Sequence, residues 1–122
     1  MPLDRKSLKV PSLPQQVEPC DELGGDVIVR GMLLSERLEN DALNQKAREP
    51  IEGETEDQAR ARAGSMVTPR LLHKCVVDDA GKPLMSVHEW DMFGAAHSDT
   101  FFRLFHVALR LSGQDSKDAE KN

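Results

Sequence analysis

Every aromatic residue of this chain lies between Trp90 and Phe105: one Trp and four Phe, with no Tyr anywhere. Aromatic side chains carry the largest apolar payload of any residue type, so a dense core must draw on that C-terminal third. At 122 residues there is room for one domain around it. The partition expected is a flexible arm over 1–14, a single small domain over 15–113 and a flexible polar tail over 114–122.

The aromatic window reads as two helices. Ser86-Val87-His88-Glu89 has the capping-box pattern, with Met85 before the cap and Trp90 placed to close a hydrophobic staple. Gly94 can end that short helix. Ser98 then caps a last helix running from Asp99 to about Ser112, and Gly113 closes it. On a wheel of about 100° per residue, Phe101, Leu104, Phe105, Ala108 and Leu111 form its central stripe. Phe102 and Leu109 widen one flank, while Arg103, His106 and Arg110 face the other way. So broad an arc is either covered by the rest of the domain or kept open for a partner or a second copy. Phe102 and Leu109, flanked by Arg103 and Arg110, are therefore the candidate partner-binding residues. The two arginines are otherwise a solvated face.

Upstream, Gln15 to Cys20 and Asp26 to Leu33 flank Asp21-Glu22-Leu23-Gly24-Gly25. Val27-Ile28-Val29 is a β-branched triplet, and the glycine pair supplies the positive φ of a tight reversal. The spacing predicts a β-hairpin whose first strand Pro19 confines to an edge. Ser35 is a candidate N-cap for a helix in which Leu34, Leu38 and Ala42 form a narrow apolar stripe, ended by Pro50 and Gly53. Thr55-Glu56-Asp57-Gln58 is a second capping box, opening a helix with Ala59, Ala63 and Val67 on one side. Pro69 either kinks that helix or begins a new one capped by Thr68. Leu71, Leu72, Cys75 and Val76 then face the core. The fold class is α+β, mainly α: an N-terminal β-hairpin followed by four or five helices.

Between the middle helix and the aromatic window stands Val76-Val77-Asp78-Asp79-Ala80-Gly81-Lys82-Pro83-Leu84-Met85-Ser86. Its paired carboxylates, glycine and lysine suggest chemistry, but the spacing denies it. A phosphate loop needs G-x-x-x-x-G-K-[ST], and one glycine precedes Lys82 here with a proline after it. A calcium loop needs oxygen ligands at alternating positions ending in a bidentate Glu, whereas Asp78 and Asp79 are adjacent. The run reads as a connector: an Asp starts a turn, Gly81 takes a left-handed conformation and Pro83 sets an extended exit.

His73, His88, His97 and His106 have no paired-ligand spacing. No activating motif surrounds Cys75. No catalytic, cofactor-binding or metal-ligating residues are therefore assigned, and binding outweighs catalysis. The formal charge of −5 disfavours a nucleic-acid partner. No apolar run is long enough to span a bilayer, and no apolar leader is visible. Cys20 and Cys75 are expected as reduced thiols of a cytosolic protein.

The order of these pieces resembles the small tail assembly chaperones of long-tailed bacteriophages and prophages. The resemblance is carried by Leu23-Gly24-Gly25 with the run VIVRGMLLSERLE, then KCVVDDAGKPLMS, the acidic aromatic helix and DTFFRLFHVALRLSG. It spans roughly residues 16 to 122, most specifically Leu71 to Gly113, and is least typical over Ile51 to Pro69. It implies a non-enzymatic role in the host bacterial cytoplasm: binding the tape-measure protein, helping to recruit tail tube protein, and leaving before the virion is mature. Many such genes make a frameshifted longer product that contacts the tube protein. Weak binding in many copies suits a chaperone that must let go, because small contacts sum in an array; self-association is a further partner reading. A structural tail or head–tail connector protein is the alternative, distinguished by its presence in finished particles.

Overall fold

The computed structural model describes residues 2–113; the tail expected over 114–122 falls outside the described residues. The chain runs β1 (Gln15–Cys20), β2 (Gly25–Arg30), α1 (Leu34–Ala47), α2 (Glu56–Cys75), β3 (Val76–Val77), α3 (Val87–Ala96) and α4 (Ser98–Leu111). The fold is α+β, mainly α, with an N-terminal hairpin and four helices among the described residues. Segment 2–14 holds a turn, in which the Asp4 carboxylate accepts from the Ser7 N–H at 3.0 Å, and no helix or strand.

The hairpin forms where the valines and glycines place it. Cys20 pairs with Gly25, a single 3₁₀ turn over Asp21–Leu23 makes the reversal, and Gly24 takes the positive φ of 93°. The second strand stops at Arg30, short of the Leu33 expected. The reason lies across the molecule: a Cβ on Gly31 would come within 2.2 Å of the Leu111 carbonyl oxygen. The next residue, Met32, donates its N–H to Ser112 Oγ at 2.9 Å, and that hydroxyl donates to the Ala108 carbonyl at 2.7 Å. Gly31 still donates its N–H to the Pro14 carbonyl at 2.8 Å, and Met32 then leaves the hairpin to latch onto the end of α4.

A third strand was not anticipated. Val76 and Val77 leave α2 and pair antiparallel with Val29 and Ile28, giving the order β1-β2-β3 with β1 at an edge, as Pro19 requires. Val76 is buried from the sheet rather than from a helix face. Two residues carry no period of their own, so Val76 read with the helical pattern and Val77 with the connector. The turn that follows is built as its residues demand. Asp78 Oδ1 accepts from the N–H groups of Ala80 and Lys82 at 2.8 and 3.0 Å, and Gly81 sits at φ 78°. Pro83 bridges back to Val77, and Leu84 N–H donates to the Val76 carbonyl at 3.1 Å.

Helix α2 is one continuous helix through Pro69, which decides between a helix with an internal proline and two helices. Its capping box is closed in both directions, Thr55 Oγ1 accepting from Gln58 N–H at 3.1 Å and Gln58 Oε1 from Thr55 N–H at 3.0 Å. The Ser86–Glu89 box of α3 closes likewise at 3.1 and 3.0 Å. Three helix boundaries depart from expectation. Ser35 lies inside α1 and Leu33 is the cap residue, its N–H satisfied by the Glu36 carboxylate at 3.0 Å. Gly94 lies inside α3, where it serves close packing rather than termination. Ser98 is the first residue of α4, because α3 runs on to Ala96 and leaves only His97 as a joint.

The core gathers between the sheet, α2, α3 and α4. Trp90, Leu72, Leu104, Val29, Val76, Cys20 and Cys75 are its largest fully buried side chains. Trp90 and Phe93 meet edge-to-face at 5.3 Å, a favoured aromatic geometry. The aromatic window therefore supplies the centre of the core, but the valines of the sheet close it.

Candidate functional site

Helix α4 has a broad apolar arc, and most of it is used. Phe101, Leu104 and Ala108 are buried, and Phe105, Val107, Leu109 and Leu111 pack against the core. Phe102 alone of its aromatic residues is left at the surface, 49% exposed, with its ring edge-on to Phe101 at 5.2 Å. Beside it runs a groove of about 370 Å³.

The groove exists because small residues meet there. Gly64, Ser65 and Thr68 of α2 form one wall, Gly94 and Ala95 of α3 the other, and Phe101 and Phe102 the end. A Cβ on Gly94 would stand 3.0 Å from the Phe101 ring, so glycine lets α3 and α4 approach closely. Pro69 also lines the groove. Having no N–H, it cannot donate to the carbonyl of Ser65 one turn earlier. Asp91 adds the acidic group on its rim. The volume is at the lower end for ligand pockets and suits one or two apolar side chains of a larger partner.

The other candidate residues fall elsewhere. Leu109 is half-buried on the core. Arg103 and Arg110 turn toward the edge strand. The Arg103 guanidinium donates to Glu18 at 2.8 Å and to the Pro19 carbonyl at 2.6 Å, while Arg110 donates to Gln16 at 2.7 Å. Thr100 Oγ1, earlier on α4, donates to Glu22 at 2.6 Å, and that hydrogen bond holds the Glu22 carboxyl below its usual range. These contacts explain the composition of β1. Gln16 and Glu18 occupy half-buried positions where a strand ordinarily places apolar residues, while Val17 is 61% exposed. The strand alternates with its polar side inward, and the α4 arginines are what that side meets. Of the four candidates, the structure brings only Phe102 to the groove.

Helix α1 also departs from its expected role. Its apolar stripe of Leu34, Leu38 and Ala42 faces outward, and no residue of α1 is buried. The helix is fixed to the body through its polar side. Arg30 grips Glu36 with two bonds, at 2.8 and 3.0 Å, and holds the Glu36 carboxyl down to about 2. Sequence periodicity finds the stripe but cannot tell which way it faces. The signal available was the run of polar residues on the other side.

Both thiols are free and buried, and burial pushes Cys75 up to about 11 and raises Cys20. A protonated thiol without access to solvent is a poor nucleophile. Among the described residues no group of three His, Cys, Asp or Glu is placed to hold a metal ion, and no helix is long and apolar enough to cross a membrane. No family model, curated protein or solved structure matches the chain.

Proposed function

We propose that this protein is a tail assembly chaperone of a long-tailed phage or prophage, binding the tape-measure protein during tail morphogenesis. The observation that carries the reading is the Phe102 groove, an apolar notch of small residues that the fold leaves uncovered. A long helical partner presents apolar side chains one turn apart. A shallow notch takes one or two of them and gives modest affinity. Many such contacts along a tape measure hold it soluble, yet each is weak enough to release as the tube grows. The sequence resemblance, strongest over Leu71 to Gly113, supports the same reading because that segment builds two of the groove's three sides.

On this reading the protein acts in the host cytoplasm and leaves before the particle is complete. It also helps to recruit tail tube protein. The test is co-expression with the tape-measure protein. The wild-type chain raises the soluble fraction of that protein, and Phe102→Glu, which places a charge at the groove and gives up the ring contact with Phe101, removes most of the gain while a melting curve checks that the fold survives. An undiminished gain with Phe102→Glu excludes the groove as the binding surface. No gain with the wild type excludes the function.

A further inference from the structure

Helix α1 turns polar residues toward the body and leaves its leucines, Leu43 included, at the surface. Its half-buried positions are Glu36, Arg37, Asn40, Asn44 and Ala47, all polar but the last. Leu34 and Leu38 on the opposite side are 69% and 60% exposed. Surface helices ordinarily bury the apolar stripe. Here the orientation is anchored, by Glu36 on Arg30 at 2.8 Å and by Arg70 donating to Asn44 at 3.3 Å. The leucines are held where the fold itself cannot cover them.

A second apolar segment stands equally uncovered. In the arm ahead of β1, Leu3, Leu8 and Val10 are 73%, 40% and 69% exposed. Its charges are Arg5, Lys6 and Lys9 against Asp4 alone. The exposed charges of α1 and the loop after it are net acidic, Glu39, Asp41, Glu49 and Glu52 against Lys46 and Arg48. Each surface has the apolar residues the other would bury and the opposite charge. Within one copy they stay apart. The Pro14 carbonyl accepts from the Gly31 N–H at 2.8 Å, fixing the base of the arm at the end of β2, and the leucines of α1 remain open.

We propose that the arm of one copy lies along the outward face of α1 in a second copy, and the reverse, so that the chain self-associates by reciprocal arm exchange. A thirteen-residue arm reaches about 40 Å when extended, against roughly 20 Å for the whole of α1, so one arm spans the helix. Leu8 and Val10 pack against Leu34 and Leu38, and the stems of the basic residues carry their charges to the carboxylates at the rim. Two equal contacts related by a two-fold axis make a closed dimer. The inference does not rest on the chaperone reading, because its surface is separate from the Phe102 groove.

The test is sedimentation velocity of the full chain over a range of concentrations, with two variants. Leu34→Glu with Leu38→Glu charges the face; Leu8→Glu with Val10→Glu charges the arm. The wild type forms a dimer, each variant weakens it at least tenfold, and an equimolar mixture of the variants recovers association through the one contact left intact. Higher salt weakens the wild-type dimer. A wild type that stays monomeric throughout overturns the proposal, as does an arm variant that dimerises like the wild type. Melting curves control for folding, and if the α1 variant fails to fold, the arm variant still decides the matter.

Discussion

Glu36 is the residue on which most local structure converges. It satisfies the Leu33 N–H at the start of α1 and takes both nitrogens of Arg30. With the folded carboxyl at about 2 and its ordinary value at 4.5, its contribution is complete above about pH 4.5 and is lost as pH falls toward 2. Glu36→Gln therefore lowers stability at pH 7 by on the order of 1–2 kcal/mol, and the gap from wild type narrows as urea titrations move down through that window. Gly31 carries a different demand. Its neighbour is a backbone oxygen that cannot swing aside, so Gly31→Ala forces β2 and α4 apart and destabilises by roughly 2 kcal/mol or more, read as a drop in melting temperature. Trp90, wholly buried, is the largest single contributor to the core. Trp90→Ala should cost about 3–5 kcal/mol. All three effects were only partly legible in the chain. The aromatic clustering marked Trp90, but nothing local to Gly31 reveals that Leu111 lies against it.

Among the elements, β1 shows how a strand can be fastened by its polar side. Its two inward polar residues would be a fault against an apolar helix, and they are satisfied because Arg103 and Arg110 reach them. Arg103→Ala together with Arg110→Ala should raise amide exchange in β1 well above that of β2, with little change in the core. Both arginines are partly exposed, so the loss in global stability stays small. Equal exchange in the two strands would mean the clamp is idle. The two capping boxes and the connecting turn were legible because each rests on residues adjacent in sequence: Thr55 with Gln58, Ser86 with Glu89, Asp78 with Gly81, whereas the caps expected at Ser35 and Ser98 lie inside their helices. The third strand, the Gly94 contact and the latch on Ser112 were not, because each is decided by a distant partner. Pro69 lies between. Its lack of an N–H is local, but its tolerance within α2 depends on the burial of its ring.

At the scale of the molecule, the described residues set a closed core apart from apolar surface left open, which includes the Phe102 groove and the outward face of α1. The wheel of α4 found Phe102 and overestimated the rest, because Leu109 packs inward and the arginines serve the sheet. The two open sites are structurally independent. Phe102→Glu should therefore leave self-association unchanged, and charging Leu34 and Leu38 should leave the groove able to bind. The claim that joins them is that this protein holds a tape-measure protein during assembly and then departs. The most direct measurement is quantitative mass spectrometry of tape-measure peptides captured with the chain from cells assembling tails, alongside the purified particles. Tape-measure protein is expected in the wild-type capture and lost with Phe102→Glu, and finished particles hold no copy of the chain. Capture without tape-measure protein, or the chain present as a fixed component of the particle, would contradict it.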